Sequence, residues 1–396
     1  MGCCTRSIKL PAGMVKMTWG KWPSYDAEHK QAINRVIDSG QLFAAQEVQS
    51  FESLYADYLG VKYVRGVGNA TQGLHLALAA AGVGVGHEVI VTTYSWISTA
   101  SVILMQNAVP VFCDIDRETL GIDVAGVERL ITDRTRAVIV THMLGFQAKI
   151  LDLAGLCKRK NLVLIEDASH AHGASLFGKR LGTFGDMSVF SLHQRKAVSV
   201  GDGGIVCTDN EVFASLIHRL RSFGDAELSY NYRMSEFAAA LGSVGLQRLD
   251  SENAKRRESY YVAQEEFSDS SSLIVRSPQD VNGAAHYAIA LEVHAGVQSA
   301  KLEEFLLLCA RKSIPLRKTW APLHRHPNFN PLRSPARGLP WRLTEYGGQQ
   351  NRSYQSENLP VANEMLPDRI LELYAHPGTS FASISELAEL AKRYIG

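Results

Sequence analysis

Short runs of β-branched and apolar residues alternate with helical stretches through the first half of this 396-residue chain. Strands of this kind are buried on both faces, and helical connections between them favour parallel pairing. The pattern therefore predicts an α/β fold with a mostly parallel central sheet flanked by helices. The runs that carry this prediction are EVIVTT (88–93), VPVFC (109–113), RAVIVT (136–141) and LVLI (162–165).

The chain is longer than one hydrophobic core usually holds, so we expect it to divide into domains. An N-terminal extension is expected over residues 1–22, a large domain over 23–250 and a smaller C-terminal α/β domain over 251–396. Further strands are expected at 187–191, 204–208 and 287–292. Helices are expected at 25–37 with Ser24 as the cap and Gly40 at the end, and at 51–59, 71–81, 98–106, 150–160, 210–220, 235–266, 299–312, 368–374 and 383–394.

Charge and hydropathy limit the classes of partner. The 41 basic and 40 acidic side chains give a formal net charge of +1, which provides no general attraction to nucleic acid or to an anionic membrane. No apolar run reaches the ~20 residues that cross a bilayer, and no signal-peptide pattern opens the chain. The cysteines are scattered and none has metal-ligand spacing. We expect a cytoplasmic protein with small-molecule substrates and no metal site.

A strand-end carboxylate and a lysine in a glycine-rich turn carry the chemistry. Asp167 follows the run at 162–165, at the edge where open parallel sheets place their ligands. Lys196 lies 29 residues later, between two strand-like segments. A lysine that loses its proton can form a Schiff base with an aldehyde. Ser191, five residues before Lys196, offers a hydroxyl group to a phosphate of the same small molecule.

A helix start offers a second phosphate contact, because the first N–H groups of a helix have no internal acceptor and attract anions. Each of these features alone also fits an ordinary role as a strand-end cap, a solvated lysine or a common helix start. Together they indicate a ligand that carries both an aldehyde and a phosphate. The helix start in question comprises Asn69, Ala70, Thr71 and Gln72.

Four segments resemble the fold-type I enzymes that use pyridoxal 5'-phosphate (PLP), and among them the sugar aminotransferases often called the DegT/StrS group. The resemblance extends from about residue 22 to residue 394, and it implies an aspartate aminotransferase-like large domain with a smaller C-terminal domain. The segments are EDASHAHGA (166–174), GDMSVFSLHQRK (185–196), GDGG (201–204) and SYNYRMSEFAAALG (229–242).

The resemblance implies a role for each matched residue. Lys196 would hold PLP as a Schiff base and move the proton, and Asp167 would pair with the pyridine nitrogen. His170 would contact the ring hydroxyl, and Trp96 would stack on the pyridine face. The phosphate would be bound by the helix start at 69–72 and by Ser191.

Three further residues are implied around this site. Asn231 matches an asparagine that reaches the phosphate site of the neighbouring subunit, so the resemblance implies a homodimer with shared active sites. His324, in the loop APLHRHPNF (321–329), and His193 match substrate-side positions. For the loop, a solvent-facing basic segment is the alternative interpretation.

The implied function is transfer of an amino group from glutamate or glutamine to a keto sugar, with a nucleotide-linked keto-hexose as the first choice of acceptor. A keto-cyclitol of aminoglycoside biosynthesis, aminated from glutamine, is the alternative. Sugar dehydratases of the family carry histidine where Lys196 stands, which argues against dehydration. A non-catalytic protein with this fold is a further alternative, against which the joint presence of the matched site residues argues.

The sequence departs from the family pattern at three places. Asp202 replaces a glutamate, and Ser169 stands where alanine is common. The segment MLGFQAKI (143–150) lacks the proline and aspartate that often occur there. We expect this segment at the mouth of the site, where it would alter substrate selection.

Overall fold

The structure is a computed structural model that describes residues 19–223, 228–330, 340–346, 354 and 357–396. Of the expected N-terminal extension, residues 1–18 lie outside the described residues. The α-helices are α1 (Ala27–Ser39), α2 (Gln46–Leu59), α3 (Ala70–Ala80), α4 (Ser98–Met105), α5 (Val124–Leu130), α6 (Ile150–Lys160), α7 (Glu211–Leu220), α8 (Glu236–Glu266), α9 (Ser299–Arg311), α10 (Pro360–Met365) and α11 (Phe381–Ile395). The strands are β1 (Tyr63–Val67), β2 (Glu88–Thr92), β3 (Val109–Cys113), β4 (Thr135–Thr141), β5 (Val163–Asp167), β6 (Ser175–Leu176), β7 (Lys179–Arg180), β8 (Met187–Ser191), β9 (Gly204–Thr208), β10 (Leu273–Val275), β11 (Ile289–Val293), β12 (Leu316–Lys318) and β13 (Ile370–Leu373).

A seven-stranded sheet in the order β1-β9-β8-β5-β4-β2-β3 forms the centre of the large domain. The five strands from β8 to β3 are parallel, whereas β9 runs antiparallel to both β8 and β1. Every position of β2 and β3 is buried, as expected for strands covered by helices on both faces. The predicted α/β fold class is confirmed. Strand β1 was not among the predicted elements.

The first helix begins at a different cap from the one predicted. The side chain of Asp26, not Ser24, accepts the N–H groups of Glu28 and His29 at 3.1 and 3.5 Å. His29 Nδ1 in turn accepts the Asp26 N–H, which completes a capping box. Gly40 ends the helix with a φ of 67°, a conformation that glycine adopts without strain.

The C-terminal part contains an antiparallel sheet in the order β10-β11-β13-β12. The helix predicted at 368–374 is wrong, because Ile370–Leu373 is a strand that is buried at all four positions. It lies between β11 and β12 and pairs with both. Four residues of mixed pattern do not decide between helix and strand locally, and the two neighbouring strands supply the hydrogen bonds that stabilise the extended form.

Helix α8 connects the two sheets. Its N-terminal half packs Ala238, Leu246 and Leu249 into the core that contains Phe51, whereas Tyr260 joins the core around the smaller sheet. The helix passes position 250 without interruption, and the domain boundary placed there stays a prediction. Within the described ranges, no helix is both long and apolar enough to span a membrane.

Candidate active site

A cavity of about 440 Å³ lies at the carboxyl ends of the parallel strands, where the sheet meets the C-terminal part. Nine of the twelve residues predicted for the site line this cavity, whereas Gln72, Asn231 and His324 do not. Its walls also include residues that the sequence did not single out, among them Thr99, Tyr287 and Arg317. The nine predicted residues that it brings together are Asn69, Ala70, Thr71, Trp96, Asp167, His170, Ser191, His193 and Lys196.

Lys196 reaches the cavity from the turn between β8 and β9. Its backbone N–H donates to the carbonyl of His193 at 2.8 Å, and its Nζ lies 5.0 Å from the ring centre of Tyr287. This Nζ makes no hydrogen bond or ion pair to any residue that the structure describes. Burial lowers the pKa of the Lys196 ammonium to about 8, although Asp167 and Glu372 oppose the change. A useful fraction of the amine is therefore neutral, and so nucleophilic, near neutral pH.

The backbone of Lys196 is held by an indole from the N-terminal segment. Trp22 Nε1 donates to the Lys196 carbonyl at 2.9 Å. The same indole stacks on His376, with ring centres 5.8 Å apart, and lies 4.8 Å below the guanidinium of Arg256. Trp22 thus ties the lysine turn to α8 and to the C-terminal part. Its position, 174 residues before Lys196, gave no sequence signal for this contact.

Asp167 ends strand β5 and is buried. Its Oδ2 accepts the Thr99 hydroxyl at 2.8 Å, and its Oδ1 accepts the Ser169 N–H at 3.2 Å. Its carbonyl accepts the His142 N–H at 3.1 Å. The carboxylate is therefore fixed in the cavity wall by two donors, with room on its oxygens for a further one.

His170 packs face to face on Tyr287, with ring centres 4.0 Å apart and planes at 10°. Its Nδ1 accepts the Leu144 N–H at 3.3 Å. Burial and the nearby Lys196 hold the pKa of His170 well below its ordinary value, so the ring is neutral. A neutral ring whose Nδ1 is an acceptor carries its proton on Nε2, which makes Nε2 a hydrogen-bond donor.

Trp96 presents an aromatic surface to the cavity. It is 56% exposed, which is high for a tryptophan and leaves much of its ring free for a ligand. Its one aromatic neighbour in the described residues is Trp320, which meets it edge-on with ring centres 5.3 Å apart.

The N-terminus of α3 forms part of the cavity wall. Asn69 Oδ1 accepts the Gln72 N–H at 2.9 Å, so that group is already used within the helix cap. The N–H groups of Ala70 and Thr71 come first in the helix and have no acceptor in it. A Cβ on Gly204 would lie 2.6 Å from the Asn69 carbonyl carbon, so the close approach of β9 to the helix start needs glycine.

Ser191 is held by a buried histidine that the sequence analysis did not single out. His172 Nε2 donates to the Ser191 carbonyl at 2.8 Å, and Tyr55 Oη lies 2.9 Å from His172 Nδ1. Burial lowers the pKa of His172 to about 4, so it acts as a neutral ring. Its place in the motif EDASHAHGA was the signal that could have identified it.

Arg317 of β12 adds a cation to the cavity wall. Its Nε and Nη2 donate to Glu372 Oε2 at 3.0 and 2.8 Å, and Nη2 also donates to Tyr374 Oη at 2.6 Å. Glu372 is fully buried. This pairing fixes the guanidinium plane and leaves Nη1 available to an anionic group of a ligand. Arg317 carries no local motif and lies 121 residues after Lys196, which is why sequence reasoning missed it.

Besides Gln72, two predicted residues do not line the cavity. Asn231 is exposed and forms an isolated bridge with Ser222. His324 is buried, with Nδ1 2.7 Å from the Thr93 hydroxyl, and burial lowers its pKa to about 4. The structure therefore places His324 against Thr93, the residue that follows β2, and not in the lining of the cavity.

The segment 143–150, which we expect at the mouth of the site, lies mostly inside the fold. Residues 143–148 are all buried, and Met143 alone of the segment reaches the cavity wall. Gln147 Nε2 donates to the carbonyls of Ser175 and Asp280 at 2.8 and 2.9 Å. Lys149 pairs with Asp116 at 2.7 Å. Gln147 and Lys149 therefore make their contacts within the fold.

A sequence profile of the DegT/DnrJ/EryC1/StrS aminotransferase family matches residues 23–345. The chain belongs to this family. The resemblance drawn from its motifs, and the prediction that it is an aminotransferase, are confirmed.

Two relatives with different named activities are similar to this chain. The GDP-perosamine synthase of Vibrio cholerae is 31% identical over 364 residues, which cover 89% of this chain and 95% of that protein. The L-glutamine:2-deoxy-scyllo-inosose aminotransferase of Streptomyces lividus is 32% identical over 359 residues, which cover 82% of this chain and 84% of that protein. Both are similar over most of their length.

Solved structures of similar proteins share the fold. DesI, crystallised in the presence of its TDP-sugar product, is 27% identical and superposes with a TM-score of 0.81 over 97% of this chain and 94% of its own. Helicobacter pylori PseC, at 23% identity, gives a TM-score of 0.84 over 96% of this chain and 99% of its own. At this level of identity, the similarity to PseC shows a shared fold only.

Proposed function

We propose that this protein is a PLP-dependent aminotransferase that moves an amino group from glutamate or glutamine to a keto sugar. The observation that carries the proposal is the convergence of three groups in one cavity. Lys196 has a lowered pKa and no described partner for its Nζ, Asp167 is a buried carboxylate, and α3 begins with free N–H groups. An aldehyde, a ring nitrogen and a phosphate on one small molecule match these three groups.

The residues present fit PLP. Asp167 would pair with the pyridine nitrogen, and His170 Nε2–H would donate to the ring hydroxyl. The N–H groups of Ala70 and Thr71, with the Ser191 hydroxyl, would bind the phosphate where Gly204 leaves room beside the helix start. PLP supplies an electron sink and a reversible carrier for the amino group. The exposed Trp96 ring would cover the pyridine face.

Lys196 is the residue that would bind the aldehyde carbon and move the proton. Its Nζ can accept a proton because burial favours the neutral amine, and it can return the proton because its pKa of about 8 lies near ordinary working pH. Tyr287 and the Trp22 contact hold the side chain and the backbone of this lysine in place.

Borohydride reduction of the protein after addition of PLP tests the assignment. We expect a stable label, and peptide mass spectrometry should place it on Lys196. The Lys196→Ala protein should lose the label, whereas a matched change of an exposed lysine, Lys30→Ala, should keep it. A wild-type protein that takes up no PLP, or a label on another lysine, would refute the proposal.

For the acceptor we propose a nucleotide-linked keto-hexose. The similarity to GDP-perosamine synthase over 95% of its length supports this choice, and Arg317 Nη1 is free to meet an anionic group. A keto-cyclitol is the second candidate, supported by the similarity to the L-glutamine:2-deoxy-scyllo-inosose aminotransferase. Protein loaded with pyridoxamine phosphate should regain the PLP spectrum when given the correct acceptor. Recovery with 2-deoxy-scyllo-inosose but with no keto sugar nucleotide would select the second candidate.

We also propose a cytoplasmic homodimer in which Asn231 completes the phosphate site of the partner subunit. Asn231 is exposed and lies outside the cavity of its own chain, which agrees with a role across an interface. Mixing Lys196→Ala and Asn231→Ala subunits would create dimers with one intact site and one site that carries both changes. Activity should therefore reappear on mixing two impaired proteins, and a mixture that stays impaired would contradict the shared site.

A further inference from the structure

A row of buried hydroxyl groups ends at the Asp167 carboxylate. Thr99 Oγ1 lies 2.8 Å from Asp167 Oδ2 and 2.7 Å from Ser95 Oγ. Ser95 Oγ lies 3.1 Å from Thr141 Oγ1. The three hydroxyl residues are 0%, 2% and 3% exposed, in the order Thr99, Ser95, Thr141, so bulk water does not compete for these bonds.

The direction of each hydrogen bond follows from counting hydrogens. An ionised carboxylate only accepts, and a hydroxyl group has one hydrogen to donate. The Thr99 hydrogen is therefore committed to Asp167, so Ser95 must donate to Thr99. Thr141 must then donate to Ser95. All three hydroxyl dipoles point towards the negative charge.

The row also connects three segments of the large domain. Thr99 lies in the first turn of α4, Ser95 in the loop before it, and Thr141 at the end of β4. Thr141 is the register partner of Asp167 across the β4–β5 pair. The carboxylate is thus bonded directly to α4. Through Thr99 it is connected to the loop that carries Trp96 and to the end of the neighbouring strand β4.

We propose that Thr141, Ser95 and Thr99 form a one-way hydroxyl relay that orients the Asp167 carboxylate towards the pyridine nitrogen of PLP. Thr99 is the positioning residue of this relay, because it alone touches the carboxylate. The inference rests on the proposed function, in which Asp167 binds that nitrogen. The bonds polarise one another, so the contribution of each hydroxyl falls with its distance from Asp167.

Cofactor affinity of the apoprotein tests the relay without measuring turnover. PLP is compared with 1-deazapyridoxal phosphate, in which a carbon atom replaces the pyridine nitrogen. Thr99→Val keeps the side-chain shape and removes the donor, and we expect it to weaken PLP binding by about 10- to 100-fold, the effect of a lost hydrogen bond to a charged group. Affinity for the deaza compound should stay unchanged, because that compound lacks the atom that Asp167 binds. Thr99→Ser keeps the hydroxyl and should restore PLP affinity.

Two further variants test the order of the relay. Ser95→Ala should weaken PLP binding less than Thr99→Val does, and Thr141→Val less again. In an Asp167→Asn background, Thr99→Val should add no further loss. Equal losses for PLP and the deaza compound, or a larger effect of Ser95→Ala than of Thr99→Val, would overturn the relay. Wild-type protein that binds neither compound would instead overturn the proposed function.

Discussion

Replacement of Lys196 by methionine should make the apoprotein more stable at pH 7. The Lys196 side chain is largely removed from water, and burial lowers the pKa of its ammonium from 10.5 to about 8. At pH 7 the lysine is nevertheless mostly charged in the folded chain and fully charged in the unfolded chain. Folding therefore carries the cost of burying that charge, and methionine, of nearly the same length, removes the cost.

The size and the pH dependence of the effect follow from this pKa. A fall from 10.5 to about 8 corresponds to a destabilisation of about 3 kcal/mol. The penalty is fully present below pH 8. It declines as the pH rises from 8 to 10.5, because the folded protein has lost the proton while the unfolded chain still holds it. The advantage of Lys196→Met should therefore shrink over the same interval.

Urea unfolding of the two apoproteins at pH 7 and pH 9.5, at one protein concentration, measures this difference. We expect the free energy of unfolding of Lys196→Met to exceed that of the wild type by about 2–4 kcal/mol at pH 7 and by clearly less at pH 9.5. Lys30→Met, a change of an exposed lysine, should alter neither value by more than about 0.5 kcal/mol. Equal stability at pH 7, or a gain that does not vary with pH, would refute the reasoning.

Three further substitutions test two buried carboxylates that accept backbone N–H groups and the glycine beside the start of α3. Glu166→Gln should lower the free energy of unfolding by about 3–5 kcal/mol at pH 7, because the buried carboxylate accepts three backbone N–H groups and the His142 ring. Glu236→Gln should cost about 1–3 kcal/mol in urea unfolding, because the carboxylate accepts three N–H groups at the start of α2, whose own cap residue Ala45 has no acceptor side chain. Gly204→Ala should weaken PLP binding by about tenfold or more, measured by titration of the apoprotein, because its Cβ meets backbone at 2.6 Å.

The controls for these changes differ. Burial alone raises the pKa of Glu166, but hydrogen bonds from His142 and from backbone N–H groups outweigh it and hold the pKa below its ordinary value. The stability that Glu166 supplies is present above about pH 4 and is lost as the pH falls through the folded-state pKa, so the gap between wild type and Glu166→Gln should close in acid. A free-energy gap that stays constant with pH would argue against an ionised carboxylate at Glu166.

Glu128→Gln, a change of a surface carboxylate, is the control for Glu236→Gln and should leave the free energy of unfolding unchanged. A loss equal to that of Glu236→Gln would argue against the cap. Gly84→Ala, where the added Cβ meets nothing within 4 Å, should bind PLP like the wild type.

The sequence by itself determined the fold class and predicted the two residues, Lys196 and Asp167, at the centre of the proposed site. The strand runs at 109–113, 187–191 and 204–208 coincide with β3, β8 and β9, because a short apolar stretch between turns has few other stable conformations in an α/β layer. Lys196 and Asp167 were identifiable because both stand next to such strands, at the edge of a parallel sheet. The spacing of local motifs carried this information.

Tertiary structure decided which residues complete the site. Arg317 meets the cavity through a smaller sheet whose strand β13 resembled a helix locally, since its extended form depends on hydrogen bonds from two neighbouring strands. His324, for which the motif predicted a substrate contact, lies against Thr93 and does not line the cavity. The contacts of Thr99 with Asp167 and of Trp22 with the Lys196 turn join segments 68 and 174 residues apart. Such contacts depend on how separate elements pack against one another, and this is a property of the folded chain that no local stretch of sequence contains.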